Sequence, residues 1–169
     1  MAITSYAIGL GGNRRHGRHG APPAVLRAAT ARLAAEGCAV TAVSPIVATP
    51  PLGPGGRRYA NAAALVATAL PPPALLRLLK GIERDFGRRG GRRWGARVLD
   101  LDILLWSGGR WAGPGLAIPH RQLARRAFVL APLARIAPGW RVPGRDATVA
   151  QLAARLRHPR AVDPERRRP

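Results

Sequence analysis

At 169 residues the chain has the length of one domain, and its 47% apolar content is that of an ordinary globular protein, which argues against a largely disordered chain. Lys and Arg total 28 against 8 Asp and Glu, a formal charge of +20, and every basic residue except Lys80 is arginine. Such a balance favours polyanionic partners (nucleic acid, a membrane surface or phosphorylated small molecules), but a GC-rich genome would also yield this Ala, Gly, Pro and Arg usage without selection for binding. Cys38 is the only cysteine, which excludes an intrachain disulfide and a cysteine cluster for zinc. There is no basic leader at the N-terminus and no apolar run of membrane-spanning length, so a soluble, cytoplasmic protein is expected.

Residues 4–10 form a short apolar run ending in Gly11-Gly12-Asn13, which predicts a strand entering a turn. Pro22 and Pro23 open an alanine-rich segment in which Val25, Leu26, Ala29 and Leu33 recur at helical spacing until Gly37 stops it. Residues 38–47 are β-branched and apolar and predict a second strand. The stretch ATPPLGPGGRR, residues 48–58, is too dense in proline and glycine for regular structure. A third strand is predicted over 59–70. The second helix opens at the prolines 71–73 and carries a stripe of Leu75, Leu76, Leu78, Leu79, Ile82 and Phe86, with Gly87 ending it. Residues 88–96 form an arginine-rich loop, and 98–106 give the clearest strand pattern in the chain. Beyond it the pattern weakens: Ile118-Pro119-His120 leads into a short helical piece, 128–133 is apolar, and 148–156 fits a last short helix. Residues 158–169 are a charged tail expected to be frayed and disordered, leaving 1–157 as the domain.

The order strand, helix, strand, strand, helix, strand is that of a ferredoxin-like α+β fold: an antiparallel sheet with helices packed on one face, here followed by a C-terminal extension. The other face and the loops above it are left for a site.

The strand around Leu99-Asp100-Leu101-Asp102-Ile103 alternates, so Leu99, Leu101 and Ile103 share one face while Asp100 and Asp102 share the other. Two carboxylates on one strand face repel unless a cation lies between them. Magnesium takes one or two carboxylates together with substrate phosphates. A D-x-D alone is more often a solvated or arginine-bound pair, but this chain places two of its eight acids on one central strand. The stretch just before it holds Arg88, Arg89, Arg92, Arg93 and Arg97, whose guanidinium groups bind phosphate oxygens in bidentate fashion. A carboxylate pair beside such a loop suits phosphoryl transfer, where catalysis is mainly positioning and charge neutralisation. Trp94 can stack on a flat heterocycle or pack inside. The glycines before Asn13 lack the Lys-Ser/Thr of a P-loop and read as a tight turn. Tyr59 and Asn61 fall on one face of the third strand, and His120 is either a phosphate or adenine contact or a surface histidine.

These residues together resemble the hydroxymethyldihydropterin pyrophosphokinases. RRWGARVLDLDILLW, residues 92–106, is similar to the family signature R-W-G-P-R-x-L-D-L-D-I. The glycine turn with Asn13, SPIVATPPLGP, Tyr59-x-Asn61-Ala62, Ile82-Glu83, Gly87-Arg88, Ile118-Pro119-His120 and Arg126-x-Phe128-Val129-Leu130-x-Pro132-Leu133 follow at family spacing. The resemblance implies transfer of diphosphate from ATP to the hydroxymethyl group of a dihydropterin, with AMP leaving, in folate synthesis. It implies two Mg2+ ions on Asp100 and Asp102, and phosphate stabilisation by Arg88 and Arg97. The pterin would lie between Trp94 and Phe128, read by Asn61 and by backbone near Thr49, Pro50 and Leu52, with Tyr59 lining the pocket. Glu83, Arg89, Ile103, His120 and Arg126 match positions near ATP. The partners implied are these two small molecules, with no nucleic acid and no membrane, and a monomer. Departures are Gly12 for a frequent serine, Ala96 for a proline, Arg121 for an aromatic or small residue, Lys80 for a glutamine, and an arginine loop about one residue short. The competing reading is a basic nucleic-acid-binding module on the same kind of sheet, which would need stacked aromatics where this chain has few.

Overall fold

A computed structural model describes residues 2–50, 56–87 and 97–157. The elements run β1 (Thr4–Gly12), α1 (Pro22–Ala35), β2 (Ala39–Val43), β3 (Val47–Thr49), β4 (Tyr59–Thr68), α2 (Pro72–Asp85), β5 (Asp100–Trp106), β6 (Trp111–Gly113), β7 (Leu116–Ile118), a 3-10 turn (Leu123–Arg125), α3 (Ala127–Ile136) and α4 (Val149–Arg157). The main sheet is antiparallel in the order β2-β4-β1-β5, with β3 also paired to β4, so the strand bearing Asp100 and Asp102, expected to be central, stands at the edge. This is the split β-α-β order expected from the sequence. The second predicted strand is two strands. Between them Ser44 exchanges backbone hydrogen bonds with Ala63, donating to its carbonyl at 2.8 Å and accepting its N–H on Oγ at 2.9 Å, so β4 stays satisfied across the break. β3 ends at Thr49, inside the stretch expected to be a loop.

Local chemistry accounts for the helices. Each of the first two begins at prolines, whose missing N–H falls where a helix has no partner for it, and neither has a side-chain cap. Both stop at a glycine in the left-handed region, Gly37 at φ 84° and Gly87 at φ 88°, which a Cβ would strain. α1 and α2 cover one face of the sheet, sealing Tyr6, Ile8, Leu10, Leu101 and Ile103 with Leu26, Leu33, Leu75 and Leu79. Tyr6 is fully buried yet satisfied, its hydroxyl donating to the Leu70 carbonyl at 2.7 Å, and burial pushes its phenol pKa up. Cys38 is buried in the same core, as the sequence indicated.

The C-terminal extension adds a second cover. α3 and α4 pack on part of the opposite face, around Ala7, Ala63, Leu104, Leu105, Leu130, Leu133 and Leu152. Alanines along β4 let α3 approach closely. A bulge at Leu104 sets the boundary: the register with β1 passes from Ile8↔Ile103 to Ala7↔Leu105, so Leu104 and Leu105 both enter the second core. Short of the bulge, the face under α3 is open, and that is where Asp100 and Asp102 stand. The tail 158–169 lies outside the described residues.

Candidate active site

The open part of that face is floored by glycine. Across the sheet, Asn61 of β4, Gly11 of β1 and Asp100 of β5 lie in one row, and Gly9 pairs with Asp102 in another. Gly9 and Gly11 carry no side chain, which leaves a trough between the amide on one side and the carboxylates on the other, bounded over Gly9 by the Leu104 side chain, 3.3 Å from where a Cβ would stand. A Cβ at Gly11 would sit 3.2 Å from Asn61 Oδ1. These two glycines are the residues that sequence reading missed, and their alternate placement on one strand face was the available signal.

The trough opens into a cavity of about 690 Å3, within the range of small-molecule sites. Thr49, Pro50, Tyr59, Asn61, Arg97, Asp100, Asp102, Arg126 and Phe128 all line it, joined by Val47 from β3 and Val129 and Ala131 from α3. Sequence positions as far apart as Gly9 and Ala131 are thus brought together. Asn61 is buried and its Nδ2 donates to Thr49 Oγ1 at 2.8 Å, which fixes the amide's orientation. Phe128 sits in the first turn of α3, with the Arg126 guanidinium 5.7 Å from its ring centroid.

Arg97 is held at both ends. Its N–H donates to Asn13 Oδ1 at 2.9 Å and its carbonyl accepts from the Asn13 N–H at 3.0 Å. Its Nη1 donates to Asp100 Oδ2 at 3.0 Å, both side chains being about 30% exposed. Gly11 and Gly12, expected from the sequence to form a tight turn, instead extend β1, and Asn13 just beyond them clamps Arg97 onto the sheet. Gly12 makes that approach possible, since a Cβ there would fall 2.3 Å from the Val98 carbonyl oxygen. Gly12→Ser is expected to shift the clamp and cost about 1–3 kcal/mol of stability, read by urea denaturation.

Three predicted residues do not line the cavity. Ile103 points into the α1/α2 core and is 2% exposed, because strand alternation places it opposite Asp102. Glu83 is buried on α2 and ends on the β5 backbone, its Oε1 accepting from the Leu101 N–H at 2.7 Å. Side-chain contact with a nucleotide in the cavity is therefore not offered by either. His120 stands beside the site rather than in it, within the electrostatic reach of Asp102 and Asp100. Its N–H donates to the Leu104 carbonyl at 2.9 Å and its Nδ1 accepts from the Gln122 N–H at 3.2 Å, which places the proton of the neutral ring on Nε2. Burial, the largest influence, lowers its pKa against the pull of Asp102. With a folded pKa below the unfolded one, the ring's contribution to stability is present above about pH 6.5 and fades as the pH falls from there towards the folded value. His120→Gln is expected to flatten that part of the stability–pH curve of the metal-free protein. Leu52, Arg88, Arg89 and Trp94 fall outside the described residues.

Among the described residues no group of three or more His, Cys, Asp or Glu converges on a metal-sized space. The donor set is two carboxylates, which fits a hard cation that draws its remaining oxygens from elsewhere, such as phosphates and water. No described helix is long and apolar enough to cross a membrane.

The family model for 7,8-dihydro-6-hydroxymethylpterin-pyrophosphokinase matches residues 7–138, which contain this whole cavity. The chain belongs to that family. A 2-amino-4-hydroxy-6-hydroxymethyldihydropteridine pyrophosphokinase of Methylorubrum extorquens is 40% identical over 156 residues, covering 91% of this chain and 94% of the relative. One of the same name from Pseudomonas aeruginosa is 46% identical, over 62% of this chain and 65% of the relative. The fold also matches a Plasmodium falciparum HPPK-DHPS structure, with a TM-score of 0.69 at 12% identity over 91% of this chain. The chain spans 42% of that larger protein, and at such identity the match speaks for the fold alone.

Proposed function

We propose that the chain is a pterin pyrophosphokinase, transferring diphosphate from ATP to the hydroxymethyl group of 6-hydroxymethyl-7,8-dihydropterin and releasing AMP, for folate synthesis. The observation that carries this reading is the glycine-floored trough: it sets Asp100 and Asp102 facing an oriented Asn61 amide, within one cavity walled by Phe128. A flat ring with one hydrogen-bonding edge fits between an aromatic wall and an amide. A triphosphate fits against the carboxylates once cations intervene.

Asp100 and Asp102 are the residues that would hold two Mg2+ ions. Bound there with ATP, the ions would neutralise phosphate charge and lower the effective pKa of the attacking hydroxyl. The remaining work belongs to the chain. Phe128 and Asn61 hold the pterin so that its hydroxymethyl oxygen faces the β-phosphorus. That hydroxyl oxygen forms the new bond as the bond from the β-phosphorus to the oxygen that bridges it to the α-phosphorus breaks. AMP leaves with the bridging oxygen, and the hydroxyl proton goes to solvent. Arg97 exchanges its bond to Asp100 for the phosphate charge that builds up in transfer. Arg126, in the cavity wall, and His120, beside it, suit the nucleotide side. The walls keep out water, which would otherwise compete for the phosphorus. Arg88, Arg89 and Trp94 retain the roles that the family resemblance implies, as does the reading of a cytoplasmic monomer.

The nucleic-acid reading is not favoured. The face that would stack bases carries two acids and two glycines, and the acids would repel a phosphate backbone. Magnesium-dependent AMP release from ATP on addition of hydroxymethyldihydropterin tests the proposal. Absence of that release, together with tight and steeply salt-sensitive RNA binding, would overturn it.

A further inference from the structure

β5 is the last strand of its sheet, and its outer edge is closed by side chains where another strand would stand. Asp100 and Asp102 pair with Gly11 and Gly9 of β1, and Leu101 between them turns its N–H and carbonyl to the open edge. Both are taken by one turn of α2. Glu83 Oε1 accepts the Leu101 N–H at 2.7 Å, and Lys80 Nζ donates to the Leu101 carbonyl at 3.1 Å. The ring closes because Lys80 Nζ also donates to the same Glu83 oxygen at 2.8 Å. Glu83 is 1% exposed and Lys80 34%, so the ammonium helps compensate a carboxylate held out of water.

From this geometry we propose that Lys80 and Glu83 are positioning residues for the cation-binding pair, imitating the backbone of a missing strand. The proposal rests on the metal reading of Asp100 and Asp102 given above. The directions of those two carboxylates follow the peptide planes on either side of Leu101. β1 fixes these planes along one edge, and without a clamp the other edge is free to twist. Hydrogen bonds with a charged partner on both Leu101 groups are the stronger kind, which makes the clamp stiff. Lys80 thus acts through β5 and has its ammonium engaged there.

Mn2+ uptake, followed by electron paramagnetic resonance with a non-hydrolysable ATP analogue, tests this in wild type, Lys80→Met and Lys80→Arg. Pterin binding and melting temperature are measured on the same samples. The wild type is expected to take up Mn2+ with the analogue. Lys80→Met should weaken Mn2+ affinity about tenfold or more, as loss of a residue supporting metal ligands does, with pterin affinity little changed. Lys80→Arg, which keeps charge and donors, should recover most of the affinity. Lys80→Gln, which keeps one donor, should fall between them and serves if the methionine variant does not fold. A lower melting temperature with unchanged Mn2+ affinity would overturn the proposal, leaving the clamp only structural. Equal loss of analogue binding without any divalent cation would also overturn it, placing Lys80 on the nucleotide itself. Failure of the wild type to take up Mn2+ would instead sink the metal reading beneath it.

Discussion

Replacing Asp102 by alanine is expected to lower turnover by about a thousandfold or more, on the order of 4 kcal/mol in barrier height, and Asp100→Ala should do the same. Each variant removes half of the carboxylate pair that faces the cavity, and among the described residues no third acid or histidine converges there to replace it. The loss should come without unfolding. Asp102→Ala relieves repulsion between two acids on one strand face, so its melting temperature in metal-free buffer should equal or exceed that of the wild type. Asp100→Ala also breaks the Arg97 bond and should melt slightly lower, by about 1 kcal/mol for a part-buried pair. Steady-state AMP release and thermal melting check both halves. Near-normal turnover in either variant would refute the metal role.

Arg97→Ala is expected to have the second largest effect, and a different signature. The guanidinium lies beside Asp100, where the proposed function would gather phosphate charge, while Asn61 and Phe128 line the cavity from other elements. Loss of a donor that acts mainly in the transition state lowers kcat with little change in substrate binding. A fall of about a hundredfold or more in the single-turnover rate is expected, comparable with removal of one oxyanion donor. Pterin affinity at equilibrium should stay within a few fold. A pure binding defect with an intact chemical step would place Arg97 outside the transfer chemistry. Arg97→Lys separates charge from shape, since an ammonium keeps the charge but loses the bidentate fork, and should recover only part of the rate.

Much of this site was legible in the chain because strand alternation is a local rule. The period of two put Asp100 and Asp102 on one face with Leu101 and Ile103 on the other, and β5 keeps that arrangement up to Leu104. The same rule ruled out Ile103 as a cavity residue, while family spacing had set it near the nucleotide. Proline at helix starts and glycine past helix ends likewise fixed α1 and α2 to within a residue or two, because those residues act on their own backbone. The length of the second strand was misread for a related reason: Ser44 supplies a ladder bond with its side chain, which no propensity records.

What the sequence determined, then, were the elements whose cause lies within a few residues: alternation, caps and the motif order that identifies the family. Tertiary structure decided what depends on groups far apart in the chain. It made Gly9 and Gly11 a floor between Asn61 and the acids, tied Arg97 to Asn13, sent Glu83 and Lys80 to the edge of β5, and laid α3 across part of the second face. Each of these follows from a contact between segments that only the closed sheet brings within bonding distance, so no local pattern encodes it.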